Sequence, residues 1–162
     1  MEPHRTIPAP APPGIVMSLS RNVEPLETAS ASAERPTCLR GVRLRRHADY
    51  QKAYAASRKR QSASMSWFLA PQAVPEGPRV GLTAGKILGK AHERNRIKRR
   101  LREALRRHVD LLPAGFDLIL HPRRAVLTVE FSQLEAEVVR LLGQAKTLAA
   151  QMARNAPAKP TL

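Results

Sequence analysis

The sequence predicts an α+β domain in which helices pack on a small sheet. Three observations carry this. Two long stretches, 91–109 and 132–152, repeat apolar residues at helical spacing. Three short apolar runs, 64–74, 79–84 and 116–120, are bounded by Pro and Gly, as strands are. The length, 162 residues, suits one domain of ordinary size.

In chain order the first element is a helix over 47–56. It places Tyr50, Ala53 and Tyr54 on one face, and Asp49 suits its first turn. A strand follows over 64–74, where Trp67 and Phe68 favour extended chain. Pro75-Glu76-Gly77-Pro78 reads as a turn, and 79–84 as the second strand of that pair, with Val80 and Leu82 alternating. After a loop bracketed by Gly85 and Gly89 comes the basic helix, 91–109, free of Gly and Pro. Its packing face holds Ile97, Leu101, Ala104, Leu105 and His108; Asn95, Arg99, Arg102 and Arg106 lie opposite, flanked by Arg96, Lys98, Arg100 and Arg107. Glu103 is placed to pair with Arg99 or Arg107 one turn away. A short strand at 116–120 leads to His121-Pro122. The last helix opens with a capping box, Ser132 and Glu135, and then repeats Leu134, Val138, Leu141, Leu142, Ala145, Leu148, Ala149 and Met152.

The ends read differently. Residues 1–36 hold seven of the fourteen prolines, with much Ala and Ser, and are expected to be a disordered extension. Met1 and Met17 both stand as candidate starts. The folded domain is expected over 37–153, with a flexible tail at 154–162.

The charge is concentrated. The chain has 28 Lys and Arg against 13 Asp and Glu, a formal net charge of +15 and a pI near 11.4. Residues 40–60 carry eight basic side chains and one acid; residues 90–107 carry nine and two. Such clusters point to a polyanionic partner, and Arg, which makes up 21 of the 28, grips phosphate oxygens in pairs. The loop with Gly85, Lys86 and Gly89 adds donors and close backbone approach. Tyr50 and Tyr54, one turn apart, either form a platform for unstacked bases or cover the sheet. Cys38 alone excludes an internal disulfide, and no apolar run approaches the ~20 residues of a membrane-spanning helix. These features read as an intracellular nucleic-acid binder.

A protein catalyst is hard to assemble from the rest. His4, His47, His92, His108 and His121 are scattered, the acids are dispersed, and no phosphate-loop or nucleophile-elbow motif occurs. A stand-alone nuclease lacks its carboxylate cluster. A helix-turn-helix DNA reader would need a helix and short turn where a strand and Gly loop stand. A ribosome-associated RNA binder of the same general fold shares the composition.

Arg79-Val80-Gly81-Leu82-Thr83, then Gly89-Lys90-Ala91-His92-Glu93-Arg94-Asn95-Arg96-Ile97-Lys98-Arg99-Arg100-Leu101-Arg102-Glu103, resembles the signature of the bacterial ribonuclease P protein component. The likeness runs over about 43–148. It implies a fold like the second domain of ribosomal protein S5, with a small, mainly antiparallel sheet and a left-handed βαβ crossover around the basic helix. It implies a cytoplasmic protein subunit that binds one RNA subunit. That RNA holds the catalytic centre and its Mg2+, and it removes the 5′ leader of precursor tRNA; the protein alone would be inactive. By motif position the resemblance implies that Lys86, Lys90, Arg94, Asn95, Arg96, Lys98, Arg99, Arg102 and Arg106 face the RNA subunit. Arg45, Tyr50 and Tyr54 would contact the leader. No catalytic or metal-binding residue is expected in the protein. The chain departs from the pattern at Gly85-Lys86-Ile87, where a second lysine is usual, and at His121, where a small residue is usual; Arg123 and Arg124 restore charge there.

Overall fold

Seven hydrophobic or small residues, Met65–Pro71, form the long strand β2, and Phe116–Pro122 forms its partner β4. The computed structural model describes residues 39–157, and within them the order is α1 (His47–Ala56), β1 (Arg60–Gln61), β2, β3 (Arg79–Leu82), α2 (Ala91–Arg107), β4 and α3 (Phe131–Asn155). Single 3-10 turns stand at Lys86–Leu88, Val109–Leu111 and Arg124–Leu127. The expected extension over 1–36 and Cys38 lie outside the described residues.

The sheet order is β1-β2-β4-β3. β4 runs antiparallel to β2, with Phe68 opposite Ile119, and parallel to β3, with Val80 opposite Leu118. The fold is α+β with a small mixed sheet, two of its three pairings antiparallel. One expectation fails. Residues 79–84 are not the hairpin partner of the preceding strand, because β4 occupies the place between them. The seven residues 72–78 exceed the usual hairpin loop and bridge that gap. Buried Gln72 holds the bridge: its Nε2 donates to the carbonyls of Gly77 (2.9 Å) and Phe116 (3.1 Å), and its Oε1 accepts from the Glu76 N–H (2.9 Å).

Alternation divides the sheet into two faces. Met65, Trp67, Leu69, Val80, Leu118 and Leu120 point to the main core, where they meet Ile97, Leu101, Ala104 and Leu105 of α2 and Leu134, Val138, Leu141, Leu142, Ala145 and Ala149 of α3. Ala70 and Ile119 point the other way and pack with Leu44, Ala53 of α1 and the rings of Tyr50, Tyr54 and Phe68. Gly81 lets α1 sit close, since a Cβ there would lie 2.7 Å from Cε1 of Tyr50. Arg79 ties the same junction: it donates to Asp117 through Nε and Nη2 at 2.7 and 2.9 Å, and its Nη1 stands 3.6 Å from Asp49 of α1.

The helix ends also differ from expectation. The capping box at Ser132 and Glu135 is not made. The helix starts two residues earlier, after Glu130, so Ser132 lies inside the first turn and Glu135 reaches Arg107 and His108. Half of such a box occurs at α2 instead, where Glu93 Oε2 accepts from the Lys90 N–H at 2.7 Å. Gly89, at φ 123°, supplies the left-handed residue just before it. Buried Glu137 of α3 closes the turn between β1 and β2, accepting from Ser62 Oγ (2.5 Å), the Ser64 N–H (2.8 Å) and Ser64 Oγ (2.5 Å).

Candidate nucleic-acid interface

Helical periodicity gives α2 one apolar stripe and two cationic flanks, and the structure uses the flanks differently. On one flank the charges are tied to the protein. Arg100 donates to the carbonyls of Val126 (2.6 Å), Leu127 (2.9 Å) and Val129, fixing the turn before α3. Arg107 reaches Glu103 at 3.1 Å and Glu135 at 3.2 Å and lies over the Phe131 ring. His108, expected in the core, is half-buried with its Nε2 3.0 Å from Glu135. On the other flank Asn95, Arg99 and Arg102 are exposed and Lys98 is half-buried; among the described residues none of their cations has a carboxylate partner. Arg96, Lys86 and Lys90 are exposed and unpaired in the same sense.

Two predicted RNA-facing residues are placed less openly. Glu103 pairs with Arg106 at 2.8 Å and with Arg107, not with Arg99. Hydrogen bonds from Arg106 and then Arg107 hold its carboxyl down to about 2. Arg106 therefore faces outward with its charge largely matched. Arg94 lies beside the apolar stripe, half-buried, with its Nε enclosed and without a hydrogen-bond partner among the described residues.

The second cationic cluster reaches the first through backbone pairing. Residues 42–44 run beside the outer edge of β3, with the Val80 N–H donating to Val42 (2.7 Å) and the Leu44 N–H to Val80 (2.9 Å). Val42 and Leu44 are buried, so Arg43 between them points outward. Arg43 shares one hollow with Lys98 and Arg102 and another with Arg45, Arg46 and Arg79. Arg40 and Arg45 share a third with Arg43 and Arg102. Two clusters some fifty residues apart in sequence thus make one surface. Arg40 and Arg43 were not singled out from sequence; their signal was the charge density of 40–60.

This surface adjoins α1 and the aromatic face of the sheet. Tyr54 stands edge-on to Phe68, ring centroids 5.1 Å apart, and to His121 at 5.5 Å. Its hydroxyl lies 2.8 Å from His121 Nε2 and 3.4 Å from Thr83 Oγ1, while Tyr50 donates to the Leu44 carbonyl at 3.3 Å. Burial, and then nearby Lys59, push the His121 imidazole below its ordinary value, so it is neutral at pH 7. His121 thus occupies the place of a small residue as the polar partner of Tyr54. Tyr50, Tyr54 and Phe68 are all half-buried: they cover Ile119 and Ala70 and keep part of their surfaces exposed.

The profile of the family described as Ribonuclease P matches residues 39–146, two thirds of the chain. The chain belongs to this family. A ribonuclease P protein component from Chloroflexus aggregans is 41% identical over 107 residues, covering 65% of this chain and 78% of that protein. One from Thermobifida fusca is 36% identical over 104 residues, covering 59% and 70%. The fold agrees with the RNase P protein from Thermotoga maritima at a TM-score of 0.56, with 26% identity over 63% of this chain and 96% of that one. It agrees with the RNase P protein from Staphylococcus aureus at 0.57, with 25% identity over 65% and 95%. Membership makes this chain the protein subunit of ribonuclease P, the ribonucleoprotein endonuclease of tRNA 5′ maturation, with the ribonuclease P RNA as its partner. No helix among the described residues is long and apolar enough to cross a membrane.

Proposed function

We propose that the untied flank of α2, continued by Arg43 and Arg45, docks the ribonuclease P RNA, and that the aromatic face beside α1 receives the 5′ leader of precursor tRNA. The single observation behind this is the meeting of two cationic segments at Arg43 and Arg102, across strand β3 from the half-exposed rings. A surface of this kind suits two polyanions at once. Residues 37–162 carry 25 Lys and Arg against 9 Asp and Glu, so the protein lowers the repulsion between catalytic RNA and substrate. A leader of no fixed sequence is best held by backbone charge and stacking, which is what Arg45, Tyr50 and Tyr54 offer.

In this reading one protein binds one RNA, and Mg2+ and bond cleavage belong to the RNA. Five acids among the described residues are engaged with protein groups: Glu93 with Arg124, Glu103 with Arg106, Asp117 with Arg79, Glu135 with His108 and Glu137 with two serines. Reconstitution tests the proposal. Purified protein is mixed with its RNA subunit and precursor tRNA in Mg2+, and cleavage is followed as salt is raised. The expected result is leader removal by the complex, a benefit from protein that falls with salt, and no cleavage by protein alone. Cleavage by RNA-free protein would overturn it.

A further inference from the structure

We propose that a hollow beside α2 captures one unstacked nucleotide of the RNA subunit. This rests on the docking role proposed for the same flank and names a particular contact within it. Leu39, Val80, Leu82 and Leu105 line the hollow with apolar surface, and Arg43, Lys98 and Arg102 also border it. Its water-accessible volume is about 50 Å3, a shallow hollow that takes the edge of one base and leaves the ribose outside.

The lining is more than a phosphate-binding surface requires. Backbone recognition needs donors and charge, not an apolar hollow among them. The floor is rigid, because Leu105 is fully buried and Val80 is 4% exposed in the main core, while Leu39 and Leu82 are only partly buried. Three separate segments build it: the turn before Arg43, β3 and α2. None of the three bordering cations has a carboxylate partner among the described residues. The flat face of a base against aliphatic walls, with its flanking phosphates on guanidinium and ammonium groups, satisfies both halves of this chemistry. Arginine planes at the edge can also stack on the base.

The position selects the RNA subunit over the leader. Val80 and Leu82 point to the α2 side of β3, whereas Gly81 between them faces Tyr50 and the aromatic surface. The hollow and the aromatic face therefore lie on opposite sides of one strand.

Two variants test this without changing charge. Leu82→Phe fills the hollow, and Leu39→Ser removes a wall outside both α2 and the sheet, where folding is least at stake. Each is checked by thermal unfolding, then assayed for RNA-subunit affinity across a salt series and for base protection by chemical probing. The expected result is roughly tenfold weaker binding with an unchanged salt slope, from the loss of one stacked base. One unpaired base, protected by the wild-type protein, should become reactive again. Arg102→Ala should instead lower the slope. Wild-type affinity and protection in both folded variants would overturn the proposal, as would a loss that came with a reduced slope. If the effect of Leu82→Phe vanishes once residues 1–36 are deleted, the hollow holds the chain's own N-terminal segment and the proposal falls. Failure of the wild-type protein to bind the RNA at all would instead refute the docking role.

Discussion

Replacing the α2 arginines one at a time should separate cations that reach RNA from cations that hold the protein together. Binding of a polyanion releases counterions, so log affinity falls linearly with log salt by roughly 0.7–0.9 for each neutralised phosphate. Arg99 and Arg102 are exposed without a carboxylate partner among the described residues, and each alanine variant should lower the slope by about that amount. Arg106 already sits 2.8 Å from Glu103, so Arg106→Ala should lower it by less than half as much. Glu103→Gln releases Arg106, while Arg107 keeps Glu135, and should raise the slope. Arg100→Ala should leave the slope alone and destabilise the fold instead. Three carbonyls of residues 126–129 lose a charged donor, an effect of about 2–4 kcal/mol in urea unfolding. The Glu103 carboxyl lies near 2 in the folded protein, below its ordinary 4.5; the contribution of its pairing is complete above that ordinary value and is lost only as pH falls towards 2. The ranking should therefore hold from mildly acidic to neutral pH. Equal slopes for Arg99→Ala and Arg106→Ala, or a reduced slope for Arg100→Ala, would refute the division of the helix into two flanks.

Four further outcomes are expected. Tyr50→Ala with Tyr54→Ala should weaken binding of leader-bearing tRNA more than of mature tRNA, read as the ratio of the two affinities in reconstituted complexes. Gly81→Ala should destabilise by about 1–3 kcal/mol in thermal or urea unfolding, because its Cβ would displace the Tyr50 ring. Glu137→Ala should cost about 2–4 kcal/mol by leaving the Ser64 N–H and two hydroxyls without their acceptor. Burial raises the Glu137 carboxyl, but the serine and backbone hydrogen bonds outweigh it and set it below 4.5, so this contribution is present above that value and fades on acidification. The His121 imidazole lies below 6.5 in the folded protein, so stability should decline as pH falls beneath that value, and His121→Phe should remove that part of the decline in a pH series of unfolding midpoints.

Elements held by periodicity were legible in the sequence, and contacts between distant segments were not. Helix α1 occupies the residues expected of it, and Ile97, Leu101, Ala104 and Leu105 are buried as their spacing requires. Strand pairing is different. Nothing local in 79–84 shows that its neighbour is a strand forty residues on, because a parallel partner is specified by tertiary packing. The Arg stripe of α2 was visible, but its division was not: Arg100 and Arg99 are adjacent and identical in type, and only the carbonyls of residues 126–129 distinguish them. Glu135 looked like a cap because Ser132 precedes it by three residues, yet the helix begins after Glu130 and leaves Glu135 beside Arg107 and His108. The junction at Arg43 follows from one β-bridge to Val80, which no spacing rule contains.

The central place of β4 has a consequence for biosynthesis. It is the strand that joins β2 to β3, yet it is the last of the four to leave the ribosome. Until it emerges, the growing polypeptide exposes a strongly cationic helix with no completed core beneath it. Pairing partners so distant along the chain also slow closure. Newly made subunits thus pass through an interval in which the cationic helix has no completed sheet to pack on.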